Sequence, residues 1–261
     1  MKLLDLTLAS PEDNLACDEA LLNWAEAGGG EVLRFWEPRE YFVVVGYADR
    51  VETEVNVATC ANRNIPIFRR CSGGGTVLQG PGCLNYTLVL RVGTHPSLAN
   101  ISCTNRFIME RNREAVESSV RRLKPEAKIL VCGHTDLALV TSHPLATPNP
   151  CEGGSRPTLK KFSGNSQRRH KNCALFHGTF LLNFNIPLIN ELLRMPSKQP
   201  DYRHQRSHSD FLTNLNLTPS EVKAAMHAVW KATSMLEEPP NLQISKLSHE
   251  KYDTKEWNYK L

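Results

Sequence analysis

The sequence predicts a fold of the α+β class. Segments typical of strands and of helices are interleaved along the chain, and the strand segments are spaced as in hairpins rather than as in a doubly wound parallel sheet. The chain has 261 residues, of which 41% are hydrophobic and 22% charged, so it can bury a sizeable core without a metal or disulfide staple. We therefore expect one large domain at 1–238, followed by a polar tail at 239–261 with no separate accessory domain.

The N-terminal half begins with a clearly marked helix. Ser10 is a candidate N-cap, Pro11 suits the first helical position, and Asp13 completes a pattern similar to a capping box. This helix is expected to end at the glycines 28–30. The patterns that follow predict, in order, strands at 31–36 and 41–46, a weaker helix at 51–62, a strand at 65–70, a glycine loop, a strand at 83–92, and an amphipathic helix at 102–123 with Phe107, Ile108, Val116, Val120 and Leu123 facing inward.

The C-terminal half changes first to strands and then to helices. Residues 141–158 are rich in proline and glycine, and strand patterns resume on both sides, so a surface loop is expected rather than a domain boundary. Thr218, Pro219 and Glu221 form a second capping-box pattern. The predicted elements are strands at 128–132, 136–140 and 174–184, a short helix at 187–195, and a helix from the capping box to residue 235.

Charge and cysteine usage exclude several classes of protein. The sum of 31 Lys+Arg and 27 Asp+Glu gives a formal charge of +4, which is too small and too dispersed for a nucleic-acid binder but suits an acidic or phosphate-bearing ligand. No apolar segment has the length of a membrane helix or the form of a secretory signal. The cysteines include no C-x-x-C pair, which argues against a zinc site, and free thiols in a cytoplasmic protein are favoured over disulfides.

The densest signal for function is a glycine loop that follows two arginines, RRCSGGGTVLQGPGC at 69–83. Three consecutive glycines remove the Cβ atoms from this stretch, so a ligand can approach the backbone N–H groups closely. Arg69 and Arg70 could hold a carboxylate or phosphate between them. The glycine spacing matches neither the Walker phosphate loop nor the Rossmann fingerprint. A flexible hairpin turn beside surface arginines would explain the same composition.

A second signal is a lysine close to a polar segment. Lys161 is predicted to lie just before a Ser-Gly-Asn-Ser turn at 163–166, with Arg168 and Arg169 beyond it. A lysine in that place could donate to a polarised carbonyl and to a phosphate together. A solvated basic loop is the alternative interpretation of the same residues.

Two further candidates lie on predicted strands. His177 sits mid-strand beside Gly178; the glycine indicates a close approach to the backbone, and the histidine is either structural or catalytic. Asp136 opens a strand, where a carboxylate could hold Mg²⁺ through water or could simply form a turn. Neither signal is specific when it is taken alone.

Taken together and in this order, the segments RRCSGGGTV, GCLNYT, HTDLAL, KFSGNS and HGTFLLNF resemble the motifs of the lipoate–protein ligase A family. The similarity also includes ACDEALL, LRFW and VVVGY near the start and KYDTKEWN near the end, so it extends over nearly the whole chain. It implies the biotin/lipoate ligase catalytic fold, a mixed or antiparallel sheet flanked by helices like that of class II aminoacyl-tRNA synthetases.

The resemblance implies a two-step acyl transfer that uses ATP and Mg²⁺. The carboxylate of lipoate or octanoate attacks the α-phosphate of ATP. A lysine of a lipoyl carrier domain, from a glycine cleavage H protein or a 2-oxoacid dehydrogenase E2, then attacks the acyl-adenylate. Lys161 would be the catalytic cation, and Asp136 would help to hold Mg²⁺. The nucleotide-binding residues that the resemblance implies are Arg70, Ser72, Gly73, Gly74, Gly75, Thr76, Val77, Leu78, Asn85, Lys161, Ser163 and Gly164, and the acyl pocket would include Arg70, Gly74, His177 and Gly178.

The chain departs from the family in ways that keep other functions open. Cys71 replaces an arginine of many relatives, and no accessory C-terminal domain is expected, so a small separate accessory protein is implied. An octanoyltransferase of the same fold would need no ATP and would use a cysteine nucleophile, for which Cys173, Cys132 and Cys151 are candidates. A non-catalytic lipoyl-binding or regulatory module is a further alternative, against which the retained Lys161 argues. Neither nucleic acid nor a membrane is an expected partner.

Overall fold

The computed structural model describes residues 1–142 and 158–261, which form two β-sheets with packed helices. The strands of these ranges are β1 (Lys2–Asp5), β2 (Val32–Trp36), β3 (Phe42–Val45), β4 (Ile67–Arg69), β5 (Val77–Gln79), β6 (Cys83–Arg91), β7 (Ile129–Cys132), β8 (Asp136–Ser142), β9 (Thr158–Arg169), β10 (Cys173–Leu181) and β11 (Ser234–Met235). The α-helices are α1 (Pro11–Glu26), α2 (Val51–Glu54), α3 (Val57–Asn62), α4 (Ile101–Leu123), α5 (Ile186–Leu192), α6 (His208–Phe211), α7 (Pro219–Trp230), α8 (Asn241–Leu247) and α9 (Lys255–Asn258).

The larger sheet has the strand order β11-β1-β2-β6-β10-β9-β8-β7. Strand β1 pairs in parallel with β2 and β11, and the other neighbours are antiparallel. In the smaller sheet, β3 lies between β4 and β5 and is parallel to β4 and antiparallel to β5. The predicted α+β fold with a mixed sheet is therefore confirmed.

The larger sheet carries a hydrophobic core on each face. On one face, α4 and α7 pack over residues that include Leu33 and Phe176. On the other face, α1 and α8 pack over residues that include Val32 and Leu175. Because side chains alternate along a strand, β2 and β10 contribute to both cores. Burial of one such side chain stabilises the fold by roughly 1.5–3 kcal/mol.

Both marked helix starts have the predicted caps. The hydroxyl of Ser10 accepts a hydrogen bond from the backbone N–H of Asp13, and Pro11 occupies the first position of α1. Thr218 and Glu221 form a reciprocal capping box at the start of α7. No helix in the described part of the chain has the length and apolar character needed to cross a membrane.

Three local predictions differ from the structure. The helix predicted at 51–62 is split into α2 and α3, because Val55 is extended and pairs with Leu193 instead. Leu123, predicted to face inward, is the last residue of α4 and is 57% exposed. Strands β1 and β5 have no predicted counterpart, because three or four residues are too few to show a periodic pattern.

The turn predicted after Lys161 is also wrong. Lys161 lies on β9, which continues through the Ser-Gly-Asn-Ser segment at 163–166 and pairs with β8 on one side and β10 on the other. All four residues of this segment pair with β10, and Ser163 and Gly164 pair with β8 as well. Tertiary context therefore overrides the turn preference of these residue types.

The segment 239–261, predicted to be a polar tail, is folded onto the rest of the chain. It contains α8, α9 and a turn of π-helix between them, and α8 packs on α1. The hydroxyl of the buried Tyr252 donates to Glu19 of α1 at 2.7 Å, and Lys251 forms an ion pair with the same carboxylate at 2.7 Å. The boundary at residue 238 stays a prediction.

Candidate active site

A cavity of about 860 Å³ lies between the glycine loop and β9. Its walls include β5, the first residue of β8, the middle of β9 and β10, and parts of the segment 193–212. The structure brings together most of the predicted site residues on these walls: Arg70, Gly74, Gly75, Thr76, Val77, Leu78, Asn85, Asp136, Lys161, Ser163, Gly164, His177 and Gly178. Ser72 and Gly73 are not wall residues; Ser72 is buried, and the carbonyl of Gly73 accepts hydrogen bonds from Arg70 and Ser166.

Lys161 forms an ion pair with Asp136 on the wall of this cavity. The lysine Nζ lies 2.7 Å from Oδ1, and the side chains of Lys161 and Asp136 are 24% and 12% exposed. The other oxygen, Oδ2, accepts a hydrogen bond of 2.8 Å from the hydroxyl of Tyr202. Burial and the charge of Asp136 raise the pKa of the Tyr202 phenol above its ordinary value. A partly buried ammonium stabilises negative charge on a ligand more strongly than a fully solvated one does.

A β-bulge in β9 directs Lys161 into the cavity. The register with β8 shifts after Leu137, which makes Phe162 an extra residue of β9. Residues three apart on a regular strand face opposite sides, and the extra residue brings Lys161 and Gly164 to the same side. A Cβ atom on Gly164 would lie 2.8 Å from the lysine Nζ. Glycine at this position therefore leaves room for the lysine side chain.

The glycine loop is held in shape by Arg70. Its guanidinium donates to the carbonyl oxygens of Gly73 and Gly75, at 2.6 and 2.8 Å. Gly74 has a φ of +81°, a conformation that glycine adopts without steric cost. Burial lowers the pKa of Arg70 to about 10, so the side chain is still a cation at neutral pH. At Gly75 a Cβ atom would meet nothing within 4 Å, so its open side is available to a ligand.

A second segment, residues 46–49, supports the same loop. A Cβ atom on Gly46 would lie 1.9 Å from the carbonyl oxygen of Gly74, so only glycine lets the two backbones meet. Asp49 accepts hydrogen bonds of 3.1 Å from the backbone N–H of Gly46 and from the hydroxyl of Thr76. Apart from the similarity of VVVGY to the family, the sequence predicts no role for this segment.

A buried chain of hydrogen bonds runs behind the loop to α1. Arg70 Nε donates to Ser72 Oγ at 3.1 Å, this oxygen lies 2.6 Å from His177 Nε2, and His177 Nδ1 lies 2.9 Å from Asp18. Arg70 can only donate and an ionised Asp18 can only accept. Nδ1 of His177 therefore carries the proton that it donates to Asp18, and the direction of the Ser72–His177 bond depends on whether Nε2 carries a proton.

Asp18 is a buried carboxylate that is not among the site residues predicted from the sequence. Its Oδ1 accepts hydrogen bonds of 2.7 Å from Arg34 and from the hydroxyl of Thr87. Burial opposes ionisation, but the hydrogen bond from His177, the charge of Arg34 and the hydrogen bond from Thr87 outweigh it and lower the pKa of this carboxyl. The sequence does contain a signal for this residue. Asp18 and Glu19 lie within the apolar segment ACDEALL, and acidic residues in such surroundings indicate a buried carboxylate.

Asn85 faces the cavity, but its amide is already paired. Nδ2 donates to Gln79 at 3.0 Å, and Oδ1 accepts from the hydroxyl of Thr179. Gln79 in turn donates to the same hydroxyl at 2.7 Å. These three side chains form a closed ring, so the phosphate contact expected for Asn85 stays a prediction.

Gly178 confirms the close approach that its place in a strand predicts. A Cβ atom there would lie 1.6 Å from Oδ1 of Asn165 on the neighbouring strand. The amide of Asn165 is fixed in this position, because its oxygen accepts from Tyr86 and its nitrogen donates to the carbonyl of Thr135, both at 2.7 Å. The group that approaches the backbone is therefore a protein side chain.

Arg69 does not have the anion-binding role predicted for it. Its fully buried guanidinium donates through each nitrogen to backbone carbonyls, those of Gly46, Asp49, Trp257 and Asn258, at 2.7 to 3.1 Å. Its backbone N–H donates to the side chain of Asn258 at 2.8 Å. The paired-arginine clamp is therefore wrong, since Arg69 joins the C-terminal segment to the loop support at 46–49.

The two arginines beyond Lys161 hold the chain rather than a ligand. Arg168 donates to the carbonyl of Cys71 at 2.8 Å. Arg169 donates to the carbonyl of Leu98 at 2.8 Å and to the hydroxyl of Thr104 at 3.0 Å. The alternative interpretation of this segment, a solvated basic loop, is therefore wrong, because the arginines lie on a strand and bind other parts of the chain.

The two described candidate nucleophiles, Cys132 and Cys173, carry free thiols and are not on the cavity wall. Burial and the charge of Asp136 raise the pKa of Cys132 to about 11, and burial together with Glu26 raises that of Cys173. Both shifts oppose formation of the thiolate that a nucleophile needs. Cys151 lies outside the described residues.

Asp136 would supply a single carboxylate ligand to the expected Mg²⁺. Within residues 1–142 and 158–261, no three His, Cys, Asp or Glu side chains group together as a metal site. Mg²⁺ often binds one or two carboxylates together with phosphate oxygens and water, so the phosphates of a substrate would have to supply the other ligands. The oxygens of Asp136 already accept hydrogen bonds from Lys161 and Tyr202. The magnesium role of Asp136 stays a prediction.

Comparison with known protein families gives one family-level match. The family described as lipoyl protein ligase A/B catalytic domain matches residues 10–232. The octanoyltransferase LipM of Bacillus subtilis (strain 168) is 26% identical over 99% of this chain and 98% of its own length. The lipoate-protein ligase A subunit 1 of Thermoplasma acidophilum is 24% identical over 94% of this chain and 90% of its own length.

Solved structures share the fold. A structure from work on the bipartite lipoate protein ligase of Thermoplasma acidophilum and its E2 lipoyl domain matches with a TM-score of 0.75 and 22% identity over 99% of this chain and 95% of that one. A lipoate-protein ligase A bound with ATP matches with a TM-score of 0.72 and 23% identity over 99% and 98%. The agreement confirms the expected ligase-type architecture.

Proposed function

Because this chain belongs to the lipoyl protein ligase A/B family, we propose that it joins an octanoyl or lipoyl group to a lysine of a lipoyl carrier domain. The observation that carries the proposal is the Lys161–Asp136 pair on the wall of a cavity that the glycine loop also lines. Acyl transfer to an amine passes through a carbonyl that gains negative charge. A fixed ammonium beside that carbonyl lowers the energy of the transition state.

We propose that the acyl group is activated as an adenylate, with ATP as a substrate. The carboxylate of the acid attacks the α-phosphate, pyrophosphate leaves, and the carrier amine then displaces AMP from the acyl carbon. Both the carbonyl and the phosphate gain charge in these steps, and Lys161 is the cation that could serve both. The backbone at Gly75 would lie along the nucleotide, while Arg70 adds positive charge beneath the loop. Mg²⁺, bound at Asp136 and phosphate oxygens, would neutralise charge on the phosphates.

The position of the thiols favours the adenylate over a thioester. Among the described cysteines, none lies on the cavity wall that carries Lys161. An acyl-adenylate needs no thiol, whereas a transferase requires one that is exposed and partly ionised. The raised pKa values of Cys132 and Cys173 are unfavourable for that role.

The second candidate is an octanoyltransferase that works without ATP. Several relatives, including the Bacillus subtilis protein, are named octanoyltransferase LipM, which favours this candidate. In that reaction a cysteine sulfur attacks the acyl carbon of a thioester donor, the donor thiol leaves, and the carrier amine then displaces the cysteine. Cys151 is the sequence candidate about which the described structure contains no evidence, so it is the thiol to test first.

Mass spectrometry of a lipoyl carrier domain separates these functions. The domain is incubated with enzyme in two arms, octanoate with Mg-ATP or octanoyl–acyl carrier protein without ATP, and lipoate replaces octanoate in a third. We expect acylation in the ATP arms, and Cys132→Ser, Cys151→Ser and Cys173→Ser each to keep that activity within about tenfold of wild type, or ~1.4 kcal/mol. Acylation only in the ATP-free arm, with an octanoyl adduct on one cysteine, would establish the transferase instead.

The same assay addresses the partner and the non-catalytic alternative. An H protein and an E2 lipoyl domain are tested in parallel, because the expected carrier is either one. A requirement for a small accessory protein would appear as activity that depends on added cell extract. Binding of lipoate without transfer in any arm would favour the lipoyl-binding module. Cytoplasmic location stays a prediction.

A further inference from the structure

We propose that Tyr202 is a positioning residue for acyl transfer, acting through Asp136 on Lys161. The proposal rests on the function proposed above, and no motif of the sequence analysis includes this tyrosine. Its hydroxyl donates to Oδ2 of Asp136 at 2.8 Å, while Lys161 occupies Oδ1 at 2.7 Å. Each carboxylate oxygen therefore has its own donor, and the direction of the Tyr202 bond is fixed because an ionised carboxylate only accepts.

The two donors restrain the carboxylate in different ways. A carboxylate with one partner can rotate about its Cβ–Cγ bond and carry the lysine with it. A second donor on the other oxygen removes that freedom. When Lys161 turns toward a charged acyl substrate, its bond to Oδ1 weakens, and Tyr202 still holds Oδ2. The lysine can then return to the same place after product release.

The fold places Tyr202 close to Asp136 on the wall of the cavity. Tyr202 lies in a short 3₁₀ turn at 201–203, opposite the turn between β7 and β8. That turn contains Gly133 with a φ of +54°, and a Cβ atom there would lie 3.7 Å from the Tyr202 ring and 3.8 Å from Asp136 Oδ2. These are ordinary van der Waals distances, so the turn packs directly against both groups, and its positive φ favours glycine at this position.

The ring of Tyr202 is held independently of its hydroxyl. It packs against Phe211 with ring centroids 5.1 Å apart, and its backbone carbonyl accepts a hydrogen bond of 2.8 Å from Arg206. Arg206 also donates to the carbonyl of Leu159 on β9 at 2.8 Å, so the turn is anchored to the strand that bears Lys161. Removal of the hydroxyl alone should therefore leave the turn in place.

The first test is Tyr202→Phe, which removes one hydrogen bond and keeps the ring. We expect kcat for carrier acylation to fall by about five- to twentyfold, with the KM for ATP or for the acyl donor within twofold of wild type. Tyr252→Phe is the matched control, because it also removes a hydroxyl that donates to a buried carboxylate, Glu19, at 2.7 Å outside the cavity. The control should lose thermal stability without loss of kcat.

A double-mutant cycle with Asp136→Asn separates a positioning role from a structural one. If Tyr202 acts through Asp136, the double variant is no slower than Asp136→Asn alone, because the second change has nothing left to position. Additive losses, or a Tyr202→Phe variant with kcat within twofold of wild type, would overturn the inference. A wild-type enzyme inactive in every arm of the acylation assay would instead refute the proposed function.

Discussion

Two cations of the cavity wall, Lys161 and Arg70, are used in different ways. Arg70 has its donors on the carbonyls of its own loop and on Ser72, so it acts on a ligand through its charge and through loop shape. Lys161 is tied to one carboxylate and is partly exposed, so its ammonium can transfer hydrogen bonds to a substrate. From the sequence, both are expected to contact the nucleotide directly, and only the hydrogen bonds in the structure distinguish their roles.

The first prediction at this scale concerns Lys161→Ala. Loss of the ammonium should reduce kcat for carrier acylation by about 10²–10³-fold, the usual cost of removing one group that stabilises transition-state charge. Lys160→Ala is the control, because this neighbour on β9 is not part of the cavity wall. The rates are measured by intact-mass analysis of the carrier domain. Wild-type rates in Lys161→Ala would contradict the assignment of this lysine.

The second prediction concerns Asp18→Asn. Without the carboxylate the buried Arg34 is left with an uncompensated charge, so the free energy of unfolding should fall by about 3–5 kcal/mol at pH 7. The folded-state pKa of Asp18 is depressed, so its contribution is complete above the ordinary value of about 4 and is lost as the pH falls through the folded value.

Denaturant unfolding of wild type and Asp18→Asn between pH 7 and pH 3 checks this prediction. The difference between the two curves should begin to shrink as the pH falls below about 4, the ordinary value, and should vanish only where the folded-state Asp18 is itself protonated. A difference that stays constant over the whole range would show that the ionised form of Asp18 contributes nothing to stability.

At the scale of elements, the sequence predicts the strands better than the turns of the site. The triple glycine at 73–75 correctly predicts a loop, and Gly74 and Gly75 line the cavity. Contact of this loop with a ligand stays a prediction. The sequence predicts a turn after Lys161, but the segment is a strand because β10 pairs with all of it and β8 pairs with its first half. The bulge at Phe162 leaves no mark in the sequence, since it arises from register with β8.

The prediction at this scale concerns the bulge and Gly164→Ala. A Cβ atom 2.8 Å from Nζ would push Lys161 away from Asp136 without touching the glycine loop. We expect kcat to fall at least tenfold, while nucleotide affinity measured by calorimetry changes less than threefold. Gly93→Ala is the control, because a Cβ atom there meets nothing within 4 Å. Unchanged kcat in Gly164→Ala would mean that the lysine works equally well from a displaced position.

At the scale of the whole molecule, hydrogen bonds of Arg69 connect the C-terminal segment to the support of the glycine loop. Trp257 and Asn258 accept hydrogen bonds from Arg69, and Trp257 donates its indole N–H to the carbonyl of Arg69 at 2.8 Å. Arg69 then holds the carbonyls of Gly46 and Asp49, which support the loop. This connection could not be predicted from the sequence, because it depends on a contact between residues 189 positions apart.

The prediction at this scale concerns Asn258→Ala. The backbone N–H of Arg69 would be left buried without a partner, which should lower the free energy of unfolding by about 1–3 kcal/mol. The support at 46–49 would loosen, so the KM for ATP should rise more than kcat falls. Leu242→Ala in α8 is the control, because that side chain is 91% exposed. A destabilised variant with an unaltered KM would show that the segment stabilises the fold but does not shape the loop.

The partnership between Arg69 and Asn258 also has a consequence for folding on the ribosome. Strand β4 and the glycine loop leave the exit tunnel early, but Arg69 then carries a guanidinium whose carbonyl acceptors at 257 and 258 have not been translated. An emerging chain must therefore keep this arginine in water while the large sheet assembles. We therefore expect the loop to reach its final geometry only after residue 258 has left the tunnel, so that a nascent chain can contain the whole triple-glycine motif without a finished loop support.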